Sequence, residues 1–226
     1  MTEQCLQVDI EPMLQAYRRH IRNFPLGSIQ CVGWKSEQSA RENYSAATNV
    51  QDWKNTRNIL DIGSGYSGLL PFLRQERNYE GSYTGIEIVD EIARVANSRV
   101  SHDPLARVIG DEFLAHDFTI HGFRTFNWLL SLGIFTYKQP DQEKFDIAVL
   151  RKMKELKEIG ITIYLNDESR VPPEKIESCP YFRAVDISSM VNRIATIVHP
   201  DHLDIIRYPH EESQKVMVHA YDGEDR

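Results

Sequence analysis

Apolar residues follow two rhythms along the chain, and each change of rhythm marks an element. Ile10, Leu14, Tyr17 and Ile21 recur at helical spacing with Arg18, Arg19 and Arg22 turned away, which predicts an amphipathic helix over 9–23 that Pro25 and Gly27 end. A second, polar helix is expected from Ser36 to about Val50. From residue 58 the rhythm becomes strand, helix, strand, helix, with strands at 58–62, 82–89 and 106–109 and helices at 68–74 and 91–98. Thr125 to Ser131 is apolar and aromatic enough for a central fourth strand. Phe145, Val149, Met153, Leu156 and Ile159 form one face of a helix closed by Gly160, and Ile161 to Leu165 reads as a fifth buried strand. Asp186 can cap a helix with inner face Ile187, Val191, Ile194 and Val198, stopped by Pro200. Two last strands, 203–208 and 215–221, are joined by so short a turn that they form an antiparallel hairpin.

This alternation specifies an α/β fold with a seven-stranded, mostly parallel sheet, helices on both faces and a C-terminal antiparallel hairpin. Residues 1–50 form an N-terminal helical cap and 51–226 the sheet domain, together one globular unit. A formal net charge of -7 argues against a broad nucleic-acid footprint and favours a small-molecule substrate. Cys5, Cys31 and Cys179 lie far apart with no C-x-x-C, which implies neither a disulfide framework nor a zinc site. His102, His116 and His121 are scattered and read as surface residues; His199, Asp201, His202 and Asp204 straddle Pro200 and need no metal. No apolar run approaches the roughly 20 residues that span a bilayer, and Met1 to Gln4 lacks the features of a signal peptide. A soluble cytoplasmic protein with no membrane partner is expected, its oligomeric state open. The polar tail 222–226 is expected to fray.

The chemistry concentrates between Asn58 and Leu70, where an apolar strand runs through a glycine turn into a helix. Gly63, Gly65 and Gly68 fit G-x-G-x-x-G, whose small residues let the backbone approach a ligand at a helix N-terminus. Nineteen residues later Glu87 ends the second strand, where a carboxylate can accept both hydroxyls of a ribose. Dinucleotide-binding loops share the glycines. Asp61, two residues before Gly63, separates the two readings: it repels a pyrophosphate and suits a ligand with an ammonium group and no phosphate.

Leu60-Asp61-Ile62-Gly63-Ser64-Gly65, with Glu87 after the second strand and a closing hairpin, resembles motif I of the class I S-adenosylmethionine-dependent methyltransferases. Gly33-Trp34, Ser131 to Tyr137 and Ile206 to His210 are similar to a bacterial subgroup of small members, and the resemblance runs from about Tyr17 to Tyr221. It implies a Rossmann-like class I methyltransferase fold and S-adenosylmethionine as cofactor, with S-adenosylhomocysteine as product. By position, Gly63, Ser64 and Gly65 pass under the methionine part, Asp61 orients toward its amine and Glu87 takes the ribose. Ile88 packs on adenine; Asp111, with Glu112 and Phe113, meets the exocyclic amine, unless Asp111 is a helix cap or solvated loop acid. Ser131 and Leu132 border the sulfonium. Tyr17, Trp34 and Arg41 of the cap and Phe135 are candidate substrate-side residues, with Arg41 or Tyr44 able to reach the ligand's carboxylate.

No Asn-Pro-Pro-Tyr follows the fourth strand, which lowers nucleic-acid methylation further, and no general base stands out. Asn127, Tyr164 and Tyr137 are the candidate catalytic groups: the first two are polar residues inside strands that could bond each other, the backbone or a ligand, beside an aromatic wall of Phe135 and Tyr137. The expected activity is methyl transfer to a small-molecule acceptor, in a setting such as natural product biosynthesis. Two alternatives stay open. The azetidine-2-carboxylate synthases of this fold cyclise S-adenosylmethionine and release methylthioadenosine, and a non-catalytic S-adenosylmethionine-binding protein keeps the same motif.

Overall fold

The computed structural model describes residues 8–179 and 181–223, so Cys5, the start of the cap and the end of the tail expected to fray lie outside the described residues. Its elements run α1 (Glu11–Ile21), α2 (Glu37–Ala47), β1 (Asn58–Ile62), α3 (Leu69–Glu76), β2 (Ser82–Glu87), α4 (Asp90–Val100) and β3 (Ala106–Gly110). They continue as β4 (Phe126–Ser131), α5 (Gln142–Leu156), β5 (Lys157–Asn166), α6 (Pro173–Ser178), α7 (Ile187–Val198), β6 (His202–Arg207) and β7 (Lys215–Tyr221). The strands make one seven-stranded sheet in the order β3-β2-β1-β4-β5-β7-β6. The first five pair in parallel, and β7 runs antiparallel to both β5 and β6.

Burial on both faces explains why the central strands read as largely apolar runs. Leu60, Ile62, Leu129, Ile161 and Ile163 point into a core closed by α5 and α7. Ile59, Trp128, Leu130 and Tyr164 point to the other face, under α2, α3 and α4. Two helices start as their sequences dictate: Ser36 accepts Ser39 N–H at 3.1 Å ahead of α2, and Asp186 accepts Ser189 N–H at 2.6 Å ahead of α7.

Gly160 does not close a helix. α5 stops at Leu156, and Lys157 turns directly into β5 with φ -76° and ψ 139°. Gly160 lies inside β5 opposite Trp128, where a Cβ would stand 2.7 Å from the indole ring and 2.8 Å from Tyr221 Cβ. The glycine lets a buried Trp lie flat across the neighbouring strand. The second strand also ends earlier than expected, at Glu87, leaving Val89 to lead into α4.

A polar relay crosses the sheet beneath α2. Trp128 Nε1–H donates to Thr162 Oγ1 at 2.8 Å, and that hydroxyl lies 2.9 Å from His219 Nδ1. The His219 ring is buried, with Nδ1 beside the Thr162 hydroxyl and Nε2 without a hydrogen-bond partner. Burial pushes the imidazole down to about 4. A base with a depressed folded-state pKa binds fewer protons folded than unfolded, so its contribution is present above pH 6.5 and lost as pH falls toward 4. The unfolding free-energy difference between wild type and His219→Gln is therefore expected to change by on the order of 3 kcal/mol across that window in urea titrations. A pH-independent difference would place the imidazole outside this equilibrium.

Candidate active site

The chain leaves β1 toward β2 and β3, then returns to place β4 on the other side of β1, so the C-terminal ends of β1 and β4 flank the crevice where ligands bind in open α/β sheets. A cleft of about 1040 Å³ opens there, roofed by α1, the 29–35 segment and α2. Small-molecule sites span roughly 300–1,000 Å³, so the cleft has room for a cofactor and a second molecule.

Its floor is the glycine turn. Gly63 and Gly65 have φ of +72° and +52°, the left-handed region that disfavours a side chain, and a Cβ on Gly63 would stand 2.9 Å from Ile134 Cγ2. The N–H groups of Gly63 and Ser64 both donate to the Ile86 carbonyl, at 2.9 and 3.1 Å, folding the turn over the end of β2. Gly85 completes the motif unseen in the sequence, since a Cβ there would meet Ser64 Oγ at 2.7 Å. Gly68 is not a turn residue: its φ is -64°, and a Cβ would lie 2.8 Å from the Tyr44 hydroxyl, so it allows α2 to approach α3.

Two buried carboxylates face this floor. Glu87 accepts Gly65 N–H through Oε2 and Val89 N–H through Oε1, each at 3.0 Å, so one side chain holds both the turn and the entry to α4. Asp61 Oδ2 accepts the Tyr83 hydroxyl at 2.6 Å. Burial raises both acids to about 7, and for Glu87 the two backbone donors work against that rise. Tyr17 and Tyr137 stand over the site with ring centroids 5.6 Å apart, and burial raises both phenols, which keeps them protonated donors.

Of the residues singled out from the sequence, Tyr17, Trp34, Arg41, Asp61, Gly63, Ser64, Gly65, Glu87, Ile88, Leu132, Tyr137 and Tyr164 line the cleft. Arg41 does so while paired to Glu76 at 2.8 Å. Asn127 stands apart, and its assignment as a catalytic group is corrected. Its Oδ1 accepts the N–H groups of Arg57 and Asn58 at 2.8 and 3.3 Å and its Nδ2 donates to Glu158 at 2.9 Å, at the opposite end of the sheet. Asn127 and Tyr164 do not bond each other; the Tyr164 hydroxyl donates to Asn166 Oδ1 at 2.9 Å. Phe135 and Phe113 are core residues rather than cleft walls, packed on Phe145 and Phe118 respectively.

Asp111 and Glu112 also stand outside the cleft lining. Asp111 accepts its neighbour's N–H at 2.8 Å and pairs with His116 Nδ1 at 2.7 Å, which lowers its carboxyl. His116 is consequently buried, not a surface residue, and stacks on His121. Ser131 is fully buried at the end of β4, and its hydroxyl has no partner. Sequence reading missed Asn43, Asn166, Lys175, Tyr181, Phe182 and Lys215, which line the cleft from α2, the end of β5, the 167–186 connection and the start of β7. Among the described residues no three His, Cys, Asp or Glu side chains are grouped to hold a metal, and no helix is long and apolar enough to cross a membrane.

Strand order, terminal hairpin and cleft together define the class I methyltransferase fold. No protein-family model matches the chain, and no curated protein does either. Solved structures do. The chain is similar to the apo form of the S-adenosylmethionine-dependent methyltransferase SibL, with TM-score 0.63, 12% identity and 99% of this chain covering 71% of that one. It is similar to the N-methyltransferase NodS from Bradyrhizobium japonicum, solved with S-adenosyl-L-homocysteine, with TM-score 0.63, 9% identity and 93% of this chain covering 98% of that one. The CurJ carbon methyltransferase gives TM-score 0.63, 11% identity and 96% of this chain on 68% of that one. These likenesses span nitrogen and carbon methyltransferases, so they establish the fold and leave the acceptor open.

Proposed function

We propose that the protein binds S-adenosylmethionine in this cleft and transfers its methyl group to a small-molecule acceptor. The observation that carries the reading is Glu87: a buried carboxylate at the end of β2, locked by Gly65 and Val89 N–H groups, with lone pairs left for two hydroxyl donors. The residues fit the cofactor. Gly63 and Gly65 leave no Cβ between the turn and a ligand, Asp61 supplies negative charge for an ammonium group, and Ile88 offers an apolar surface. Asp111, Glu112 and Ser131 do not line the cleft, which leaves Ile88 as the candidate surface for the adenine.

When bound, the cofactor supplies an electrophilic methyl carbon on sulfur. The chain's contribution is to hold and orient two reactants and exclude water, which can itself provide much of an in-line transfer. Tyr17 and Tyr137 close the site from above, Leu132 lines its side, and the protonated phenols donate hydrogen bonds. The cleft has room for a second reactant beside the cofactor.

Incubation with S-adenosylmethionine and an acceptor panel, followed by mass spectrometry, tests the reading. S-adenosylhomocysteine formed only with an acceptor present supports it. Methylthioadenosine from cofactor alone supports the cyclase, and binding without either product a non-catalytic role.

Titration gives a second check. Asp61 and Glu87 are raised to about 7 when the cleft is free, and a cationic, hydroxyl-bearing ligand favours their ionised forms. Binding is expected to release protons near pH 7 and to tighten between pH 6 and 8. Calorimetry in phosphate and in Tris reads this directly: equal enthalpies in the two buffers would show that neither acid changes its protonation.

A further inference from the structure

The cleft is electrically two-ended. Its acidic end, Asp61 and Glu87, lies on β1 and β2; its other end lies at β5 and β7, where Lys215 starts β7 opposite Asn166. At about 4.8 Å per strand the two ends are roughly 14–19 Å apart across the sheet. Lys215 Nζ reaches Ser39 Oγ at 3.4 Å and sits 5.7 Å from the Tyr208 ring. Lys175, from α6, sits 4.6 Å over the Phe182 ring.

Neither ammonium group pairs with a carboxylate among the described residues; Lys215 is half-buried against the cleft wall and Lys175 is exposed at its mouth. The charged groups facing them are few. Each lysine repels the other across the opening, Lys35 adds positive charge from the rim, and Glu42 is the facing acid. Gln38 Nε2 donates to Glu42 at 3.1 Å, and the Glu42 carboxylate, though not paired with Lys215, partly supports its charge. Burial and like charge together lower both lysines, a cost that an arriving anion would offset.

Aromatic side chains line the same cleft. Tyr137 and Tyr181 are stacked, 6.2 Å apart at 19°, and Tyr164 closes the floor. Both rings are only half-buried, and an aromatic ligand can pack on the surface they leave open. We propose that the acceptor is an aromatic acid, held with its carboxylate on Lys175 and Lys215 and its ring against the Tyr137 and Tyr181 wall. This rests on the methyltransferase reading, because it assigns the acidic end to the cofactor and the basic end to the acceptor.

The test is calorimetry on the intact protein saturated with S-adenosylhomocysteine, using salicylate, 4-hydroxybenzoate and anthranilate, each beside its neutral amide. Acids are expected to bind at least tenfold more tightly than their amides. Lys175→Met with Lys215→Met is expected to erase that preference while leaving S-adenosylhomocysteine affinity and the melting temperature unchanged. Lys215→Arg, which keeps the charge, is expected to retain it.

Equal binding of acids and amides, or no binding of any acid, would overturn the proposal. So would a preference that survives loss of both lysines. Failure of S-adenosylhomocysteine to bind, with acids still selected in its absence, would instead sink the cofactor assignment and leave the anion site standing.

Discussion

Replacing Glu87 by Ala is expected to weaken S-adenosylmethionine and S-adenosylhomocysteine binding by about 100-fold or more. Hydrogen bonds to a charged acceptor contribute roughly 1.5–3 kcal/mol each, and a ribose offers two; at about 1.4 kcal/mol per factor of ten, even the low end gives about two orders of magnitude. The side chain also holds Gly65 and Val89 N–H groups in a site 2% exposed, so its loss loosens the floor that the rest of the cofactor rests on. Glu87→Gln separates the two effects. The amide keeps the volume but presents an NH₂ to one of two backbone donors, so it is expected to bind more weakly than wild type while melting within a few degrees of it. Calorimetry with either ligand decides: an affinity for Glu87→Gln within threefold of wild type would mean that the carboxylate is not the ribose acceptor.

The position of Glu87 was legible in the sequence because it follows from chain order. An acid at the end of a second apolar strand, after a glycine turn, has one place to go in a parallel sheet. The strands were legible for a similar reason, since β1, β4 and β5 are buried on both faces and are largely apolar. Gly160 was misread because a glycine after an amphipathic helix is an ordinary helix end, and the true cause, a Trp128 ring lying 2.7 Å from where its Cβ would be, lies on another strand. Asn127 was misread because a polar residue inside an apolar strand signals a partner without saying at which end of the sheet. Phe135 and Phe113 failed in the opposite sense: aromatic residues near a site pattern look the same in sequence whether they face the ligand or the core. The basic end of the cleft was invisible because Asn166, Lys175, Tyr181 and Lys215 come from separate elements with no shared motif, and only the fold brings them together.

Asp146→Ala is expected to be the most destabilising change outside the cleft, and to damage the acceptor end more than the cofactor end. Asp146 is fully buried and accepts both guanidinium N–H groups of Arg183 at 2.7 Å and one from Arg193 at 2.6 Å, joining α5, the 167–186 connection and α7. Removing the acid strands a buried guanidinium, which typically costs about 3–5 kcal/mol, and in a chain of this size each kcal/mol lowers the melting temperature by roughly 2–4 °C. Arg183 is also the anchor of the aromatic wall. Its N–H donates to the Thr136 carbonyl at 2.8 Å, its carbonyl accepts from Asn166 at 3.1 Å, and Lys138 N–H bonds the Tyr181 carbonyl at 2.9 Å. Releasing its side chain loosens the strip that carries Tyr181 and Phe182 against Tyr137, while Glu87 and the glycine turn, several strands away, keep their own bonds. The variant is therefore expected to raise the acceptor KM severalfold with S-adenosylmethionine affinity nearly unchanged. The double change Asp146→Leu with Arg183→Met, which leaves neither of those two charges unpaired in the core, is expected to recover part of the stability. Urea unfolding and steady-state kinetics check both halves; equal losses of cofactor and acceptor binding in Asp146→Ala would show that this ion cluster supports the whole cleft and not its acceptor wall alone.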